Sequence, residues 1–194
     1  MHKENLLPGK IFLLRDFLTA EECQQFIDQS EDIGYDEAPI TTAAGFVMRK
    51  DIRNNARVIL DDVDLAERLF ARAKDFLPPE WFGWELVGFN ERFRFYRYDV
   101  GQRFAPHTDG HYERENGERS HLTFMIYLNE DFEGGWTSFQ RMKAQGSNDS
   151  VIDVEPATGL ALVFYHRLIH EGVSLSQGRK YVLRTDLMYR RIDS

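Results

Sequence analysis

Cysteine is almost missing: Cys23 is the only one in 194 residues, so neither an intrachain disulfide nor a Cys-x-x-Cys zinc or redox motif can form. No stretch approaches the roughly 18 consecutive apolar residues of a membrane span. The first fourteen residues carry one short apolar run without the other parts of a secretory signal. Positive charge is in deficit, with 24 Lys and Arg against 32 Asp and Glu. The resulting net charge of −8, with no Lys/Arg-rich run, opposes unspecific attraction to phosphate backbones and anionic lipid. There is no internal repeat. These absences lead to the expectation of a soluble, cytoplasmic protein that engages neither membrane nor nucleic acid.

Core material is plentiful: 42% of the residues are hydrophobic and 13% aromatic, fifteen of them Phe. A chain of this length makes roughly one domain and buries about 70% of its unfolded surface. Residues 1–194 are therefore read as a single domain of α+β class. Its N-terminal portion, 1–83, is mixed and helical. Lys10 to Leu18 reads as a short buried strand. Thr19 and Glu22 form a capping box ahead of Cys23, Phe26 and Ile27, and Gly34 stops that helix. Val63, Leu65, Ala66, Leu69, Phe70 and Ala73 recur at helical spacing until Pro78-Pro79 forbids continuation. From 84 to 194 the punctuation changes to β segments at 86–98, 121–128, 136–140, 150–155, 159–165 and 179–189, which predict a sandwich, barrel or jelly roll. The polar stretches Glu113–Ser120 and Arg141–Ser150 read as mobile loops.

The chemistry concentrates in a few residues of this β half. His107 and Asp109 stand two apart, and in extended backbone such residues project from one face, so an imidazole and a carboxylate can grip one ion. His170, sixty-one residues beyond Asp109 and just after the apolar segment Leu160–Phe164, is a candidate third ligand. Two His and one carboxylate cover one face of an octahedron and leave three positions open, the arrangement of non-heme Fe(II) oxygenases. A 2-oxo acid chelated there needs a cation for its distal carboxylate. Lys180 opens a strand ten residues after His170, and Arg184 falls on the same face as its rival, whereas Arg179 faces the other way. His111 continues the alternation of His107 and Asp109 and is read as an ordinary polar loop residue over a substrate contact. His166 stands four before His170, but the preceding strand pattern speaks against a helical zinc site. His121 is read as structural. Arg53, Asn54, Asn55 and Arg57 form a polar patch, read as an exposed loop in preference to a substrate contact.

Several blocks together resemble the prolyl 4-hydroxylase-like branch of the Fe(II)/2-oxoglutarate-dependent dioxygenases. They are Arg97-Tyr98 with Gly101-Gln102 ahead of His107 and Asp109; Thr123 to Tyr127-Leu128-Asn129; Gly134-Gly135 with Thr137 and Phe139; Pro156 to Gly159 with Phe164; and His170 before Gly178 and Lys180-Tyr181. The resemblance spans about residues 92–189. It implies a double-stranded β-helix, or jelly-roll, core buttressed by the N-terminal helices. It implies that His107, Asp109 and His170 ligate Fe(II) and that Lys180 pairs with the distal carboxylate of 2-oxoglutarate. Tyr98, Thr123, Tyr127 and Thr137 would line the co-substrate pocket. The reaction implied consumes 2-oxoglutarate and O2, hydroxylates a C–H bond and releases succinate and CO2, with ascorbate as a candidate reductant. Asp109 favours oxygen transfer over halogenation. By analogy the substrate is a protein or peptide side chain such as proline. A small-molecule hydroxylase acting on amino acids or peptide natural products is the alternative, and a non-catalytic metal-containing jelly-roll binding module a more distant one. Nucleic-acid demethylation is disfavoured by the acidic charge. The chain departs from the branch at Asp186, where an aromatic is frequent, and at Trp136, where an acidic residue is common.

Overall fold

The structure is a computed structural model that describes residues 1–42, 45–140 and 151–192. The predicted loop Arg141–Ser150 lies outside those residues. In the N-terminal half the strands are β1 (His2–Leu7), β2 (Ile11–Arg15), β3 (Asp36–Glu37), β4 (Ile40–Thr42), β5 (Gly45–Val47) and β6 (Ala56–Asp61). There follow β7 (Trp84–Phe89), β8 (Arg92–Tyr98), β9 (Phe104–His107), β10 (Arg119–Tyr127), β11 (Glu133–Gly134) and β12 (Thr137–Gln140). The last five are β13 (Val151–Val154), β14 (Ala161–Tyr165), β15 (His170–Gly172), β16 (Leu175–Gln177) and β17 (Lys180–Arg191). Two helices, α1 (Ala20–Ile33) and α2 (Val63–Ala73), interrupt the first half. Neither is long and apolar enough to cross a membrane.

A major antiparallel sheet runs β1-β2-β14-β10-β17-β8-β6-β3, with β7 also paired to β17. A minor sheet runs β13-β12-β15-β9. Period-two alternation divides the side chains of the major sheet between two cores. Phe12 and Leu14 of β2, Phe93 and Phe95 of β8 and Val163 of β14 face the helices, where they meet Leu65 and Leu69 of α2 and Cys23 of α1. Ile11, Leu13, Tyr96, Tyr98, Leu162 and Phe164 face inward and share the second core with Phe139 and Val154 of the minor sheet. The result is the expected α+β jelly roll, with helices on the outer side of the major sheet and a lined interior between the sheets.

Helix α1 forms where expected because its ends are chemically specified. Thr19 accepts from the Glu22 amide (3.2 Å), the Glu22 carboxylate accepts from the Thr19 amide (2.9 Å), and Gly34 takes φ +91° at the C-cap. Three expectations need correction. The first eighty residues contribute four strands to the major sheet, so the N-terminal portion is part of the sheet as well as a helical buttress. The predicted segment 86–98 is two strands, because the chain turns at Asn90-Glu91 and both halves pair with β17. The stretch Glu113–Ser120 is a hydrogen-bonded turn: the Arg114 amide donates to Glu118 O (2.8 Å), and the Arg114 guanidinium binds the Glu118 and Glu91 carboxylates.

Gly159 joins the helical side to the barrel and tolerates no side chain. Its carbonyl accepts from the amides of Phe17 (3.0 Å) and Leu18 (3.2 Å), and its own amide donates to Tyr127 O (2.9 Å). At φ +77° a Cβ would lie 2.1 Å from Leu18 O. A left-handed non-glycine residue alone costs about 1–2 kcal/mol. Gly159→Ala is therefore expected to lower the unfolding free energy by more than about 2 kcal/mol in urea titration. A change below about 0.5 kcal/mol would show that Leu18 moves freely.

Candidate metal centre

The minor sheet sets two imidazoles side by side. His107 ends β9, His170 begins β15, and the two are register partners. Strand β9 stops at His107, so Asp109 does not reach the site by strand alternation alone. Its amide donates to His166 O (2.9 Å), which ties the following loop back over the barrel mouth. One donor atom from each of His107, Asp109 and His170 lies within 4.8 Å of the others, the only such His/Cys/Asp/Glu group among the described residues. The Nε2 atoms stand 3.7 Å (His107) and 3.8 Å (His170) from the two Asp109 oxygens.

Hydrogen bonds fix how these donors present themselves. His107 Nδ1–H donates to Ala105 O (2.8 Å) and His170 Nδ1–H to Leu168 O (3.0 Å). A carbonyl only accepts, so the proton sits on Nδ1 and each Nε2 lone pair points toward Asp109. Burial holds both imidazoles neutral, driving His107 down to about 3 and lowering His170 as well. Burial opposes ionisation of Asp109, but the Arg184 guanidinium together with the neighbouring histidines outweighs it and keeps the carboxyl below its usual range. Two neutral nitrogens and one carboxylate suit a divalent ion. The rings of Phe104, stacked 3.5 Å from His107, and Phe164, 4.5 Å from His170, pack apolar surface against the two imidazoles.

A narrow pocket runs from this triad into the barrel, bounded by Tyr98, Thr123, Thr137 and Lys180. Lys180 is the first residue of β17 and only 3% exposed. Its ammonium donates to Gly135 O and stands 5.4 and 5.2 Å from the ring centres of Tyr98 and Tyr127. Burial lowers it to about 7. The Tyr127 hydroxyl donates to Thr137 Oγ1 (2.7 Å), and the Thr123 hydroxyl to Asp109 Oδ2 (2.5 Å). Thr123 therefore touches the candidate metal ligand, while Thr137 and Tyr127 lie toward Lys180. Arg184 is engaged elsewhere, with Nη1 2.9 Å from Asp109 Oδ1 and Nη2 3.2 Å from Asp186 Oδ1.

The remaining predicted residues scatter. His111 is exposed and meets Arg119 (3.1 Å), and His121 packs against Trp84 (4.9 Å) in a structural position. His166 sits in a turn, 3.5 Å from Asp186. Arg179 faces outward onto Asp99. Trp136 is exposed. The reading of Arg53 to Arg57 as an exposed loop is corrected: Arg53 and Asn55 are 5% and 2% exposed and bonded to each other (2.7 Å). The Arg53 guanidinium lies 4.5 Å from the ring centres of Tyr96 and Phe104, so aromatic faces bury it. The sequence reading missed Arg94, which reaches Asp186 (3.2 Å). Its signal was alternation with Tyr96 and Tyr98.

Comparison with known proteins agrees with this geometry. The sequence profile of the 2OG-Fe(II) oxygenase superfamily matches residues 93–185, a span that contains His107, Asp109, His170, Lys180 and Arg184. A probable prolyl 4-hydroxylase 8 of Arabidopsis thaliana is 27% identical over 147 residues, covering 72% of this chain and 48% of that protein. The chain spans about half the length of the first curated relatives it matches. Among solved structures, the 2OG complex of viral collagen prolyl hydroxylase from Paramecium Bursaria Chlorella virus-1 aligns over 95% of this chain and 99% of its own, with a TM-score of 0.64 at 18% identity. A Trichoplax adhaerens prolyl hydroxylase in complex with a hypoxia inducible factor peptide aligns over 93% and 84%, with a TM-score of 0.69 at 15% identity. With the interior triad, the jelly roll and these relatives in agreement, the chain is similar to the 2OG-Fe(II) oxygenase superfamily and, among its members, to prolyl 4-hydroxylases.

Proposed function

We propose that the chain is an Fe(II)- and 2-oxoglutarate-dependent dioxygenase that hydroxylates a C–H bond of a protein or peptide side chain, with proline the first candidate. The observation that carries this reading is a single pocket with His107, Asp109 and His170 at one end and the buried ammonium of Lys180 at the other. The names of the relatives, all prolyl 4-hydroxylases, support the substrate class.

In this reading His107 Nε2, His170 Nε2 and an Asp109 oxygen hold Fe(II), which with bound 2-oxoglutarate and O2 supplies the oxidising power for hydroxylation, releasing succinate and CO2. The chain's own residues do the rest. Lys180 takes the distal carboxylate of the co-substrate, and the Tyr127–Thr137 pair and Tyr98 border it. Thr123 and Arg184 hold the Asp109 carboxylate from two sides and so set its orientation. Phe104, Phe139 and Phe164 exclude water from the centre. No side chain in the triad need exchange a proton, since both imidazoles are committed as neutral nitrogen donors.

The test is succinate formation by the full-length chain with Fe(II), 2-oxoglutarate, oxygen and a panel of proline-containing peptides. At least one peptide is expected to raise the succinate rate fivefold or more over the peptide-free rate and to gain the mass of one oxygen atom. Succinate formation that no peptide accelerates, with free amino acids accelerating it instead, would move the reading to a small-molecule hydroxylase. No succinate under any condition would contradict the dioxygenase.

A further inference from the structure

A wider groove of about 610 Å³ opens over His107 and Asp109, and its charge pattern is not used by metal or co-substrate. Five arginines line it, in a chain whose net charge is −8. Three of them are matched by carboxylates. Arg92 binds Asp61 through two bonds (2.8 and 2.9 Å), Arg94 binds Asp186 (3.2 Å), and Arg184 binds Asp109 and Asp186. Arg53 has only the neutral amide of Asn55 and two aromatic rings, and its Nη2 is buried without a hydrogen-bond partner among the described residues.

Arg57 is the most exceptional. Among the described residues it forms no ion pair, not even with Asp36, its register partner on β3, and after Tyr96 the charged groups that act on it are the cations Arg53, Arg94 and Arg92. It is half-buried in the groove wall. Register locates it relative to the chemistry: Arg57 of β6 pairs with Tyr96 of β8, which pairs with Val182 of β17, midway between Lys180 and Arg184. At about 4.8 Å per strand, Arg57 sits roughly 10 Å across the sheet from the strand that carries the pocket cation. A cation crowded by like charges and partly withdrawn from water is unfavourable unless an anion joins it. The guanidinium fork matches a carboxylate bidentately.

We propose that the groove holds a carboxylate of the substrate on Arg57, beside Arg53, so that the molecule presented to the metal centre is acidic. The carboxylate comes from an Asp or Glu near the reacting residue of a peptide, or from the free α-carboxylate of an amino acid. This rests on the reading of the groove as the substrate entrance to a dioxygenase.

The experiment measures binding of fluorescent proline pentapeptides that differ only by Glu or Gln on either side of the proline. The full-length chain is loaded with Mn(II) and 2-oxoglutarate under nitrogen. Free amino acids and their amides serve as competitors. At 50 mM salt at least one acidic ligand is expected to bind about tenfold more tightly than its neutral twin, a preference that shrinks at 300 mM salt. Arg57→Gln is expected to bring the ratio within twofold of one, and Arg57→Lys to restore part of it. Preference among the peptides assigns the carboxylate to a side chain, whereas preference confined to free amino acids over their amides assigns it to the α-carboxylate. If Arg57→Gln does not fold, the salt response of the wild type and the ratio in Arg57→Lys decide. Equal binding of every acidic and neutral pair by the wild type, or a preference that survives in folded Arg57→Gln, would overturn the proposal. Succinate formation measured in parallel keeps the two readings apart. Acid preference without succinate upholds the carboxylate groove and sinks the dioxygenase, and succinate without acid preference does the reverse.

Discussion

His170→Ala is expected to abolish the weak visible absorption that Fe(II) and 2-oxoglutarate develop together on the native chain under anaerobic conditions. That band reports a chelate held on the protein, and two remaining ligands do not hold the ion in a defined site. Loss of a residue that merely orients a metal ligand already costs about 10–100-fold in affinity, so loss of the ligand is expected to exceed 100-fold. The fold should survive, because His170 sits among Phe139 and Phe164 and its removal leaves a cavity in the second core and no unpaired charge. Asp109→Ala should also lose the band but with a larger stability cost. It leaves Arg184 with Asp186 as its remaining carboxylate, and breaking one buried ion pair from one side costs up to about 3–5 kcal/mol. A band of native intensity in His170→Ala would show that the ion binds elsewhere.

Lys180→Met separates affinity from stability. It is expected to weaken 2-oxoglutarate binding by about 100-fold or more, since a buried carboxylate left without its cation forfeits about 3–5 kcal/mol. Melting of the unliganded protein should not fall, because the native site keeps an ammonium out of water with only Gly135 O to receive it among the described residues. The pH dependence follows from its lowering from 10.5 to about 7. Between those values the unfolded chain carries a proton that the folded chain lacks, so stability of the unliganded wild type rises with pH across that window. The slope is at most about 1.4 kcal/mol per pH unit, and Lys180→Met should lack it. Ligand affinity runs the opposite way. A dicarboxylate favours the charged lysine, so wild-type dissociation constants should climb as pH rises above 7, up to tenfold per unit, until the bound-state value is reached. Isothermal titration with 2-oxoglutarate at pH 6.5, 7.5 and 8.5 reads the affinity, and urea unfolding of the unliganded protein at pH 7 to 9 reads the stability. A flat profile with unchanged affinity in Lys180→Met would transfer the carboxylate to Arg184.

The parts legible in the sequence are those governed by local chemistry. The capping box of Thr19 and Glu22 and the apolar spacing of α2 each depend on neighbours within a few residues. The residues alone made His170 a candidate partner of His107, and the resemblance supplied the rest, since nothing local joins positions in β9 and β15. What escaped depends on pairing across the sheet. Arg53 looks like a loop residue until Tyr96 and Phe104 enclose it, and Arg57 gains meaning only beside Tyr96 on the next strand. Arg184 matches Lys180 in alternation and charge, yet Asp109 and Asp186 claim it, because each stands near it only in the folded barrel. The turn at Asn90-Glu91 was hidden for a related reason. The Asn90 amide donates to Asp186 O (2.8 Å), a partner no local propensity scale contains, while Asn90 Oδ1 accepts locally from the Arg92 amide (3.1 Å).

The central claim is that one interior pocket joins a metal held by His107, Asp109 and His170 to a co-substrate anchored on Lys180. A crystal structure of the full-length chain grown anaerobically with Mn(II) and 2-oxoglutarate, with anomalous scattering to locate the metal, tests it most directly. The account predicts a single interior metal peak bonded to Nε2 of both histidines and to an Asp109 oxygen, with the far carboxylate of 2-oxoglutarate against Lys180 Nζ. A metal peak away from these three side chains, or a far carboxylate turned to Arg184 with Lys180 left untouched, would contradict it.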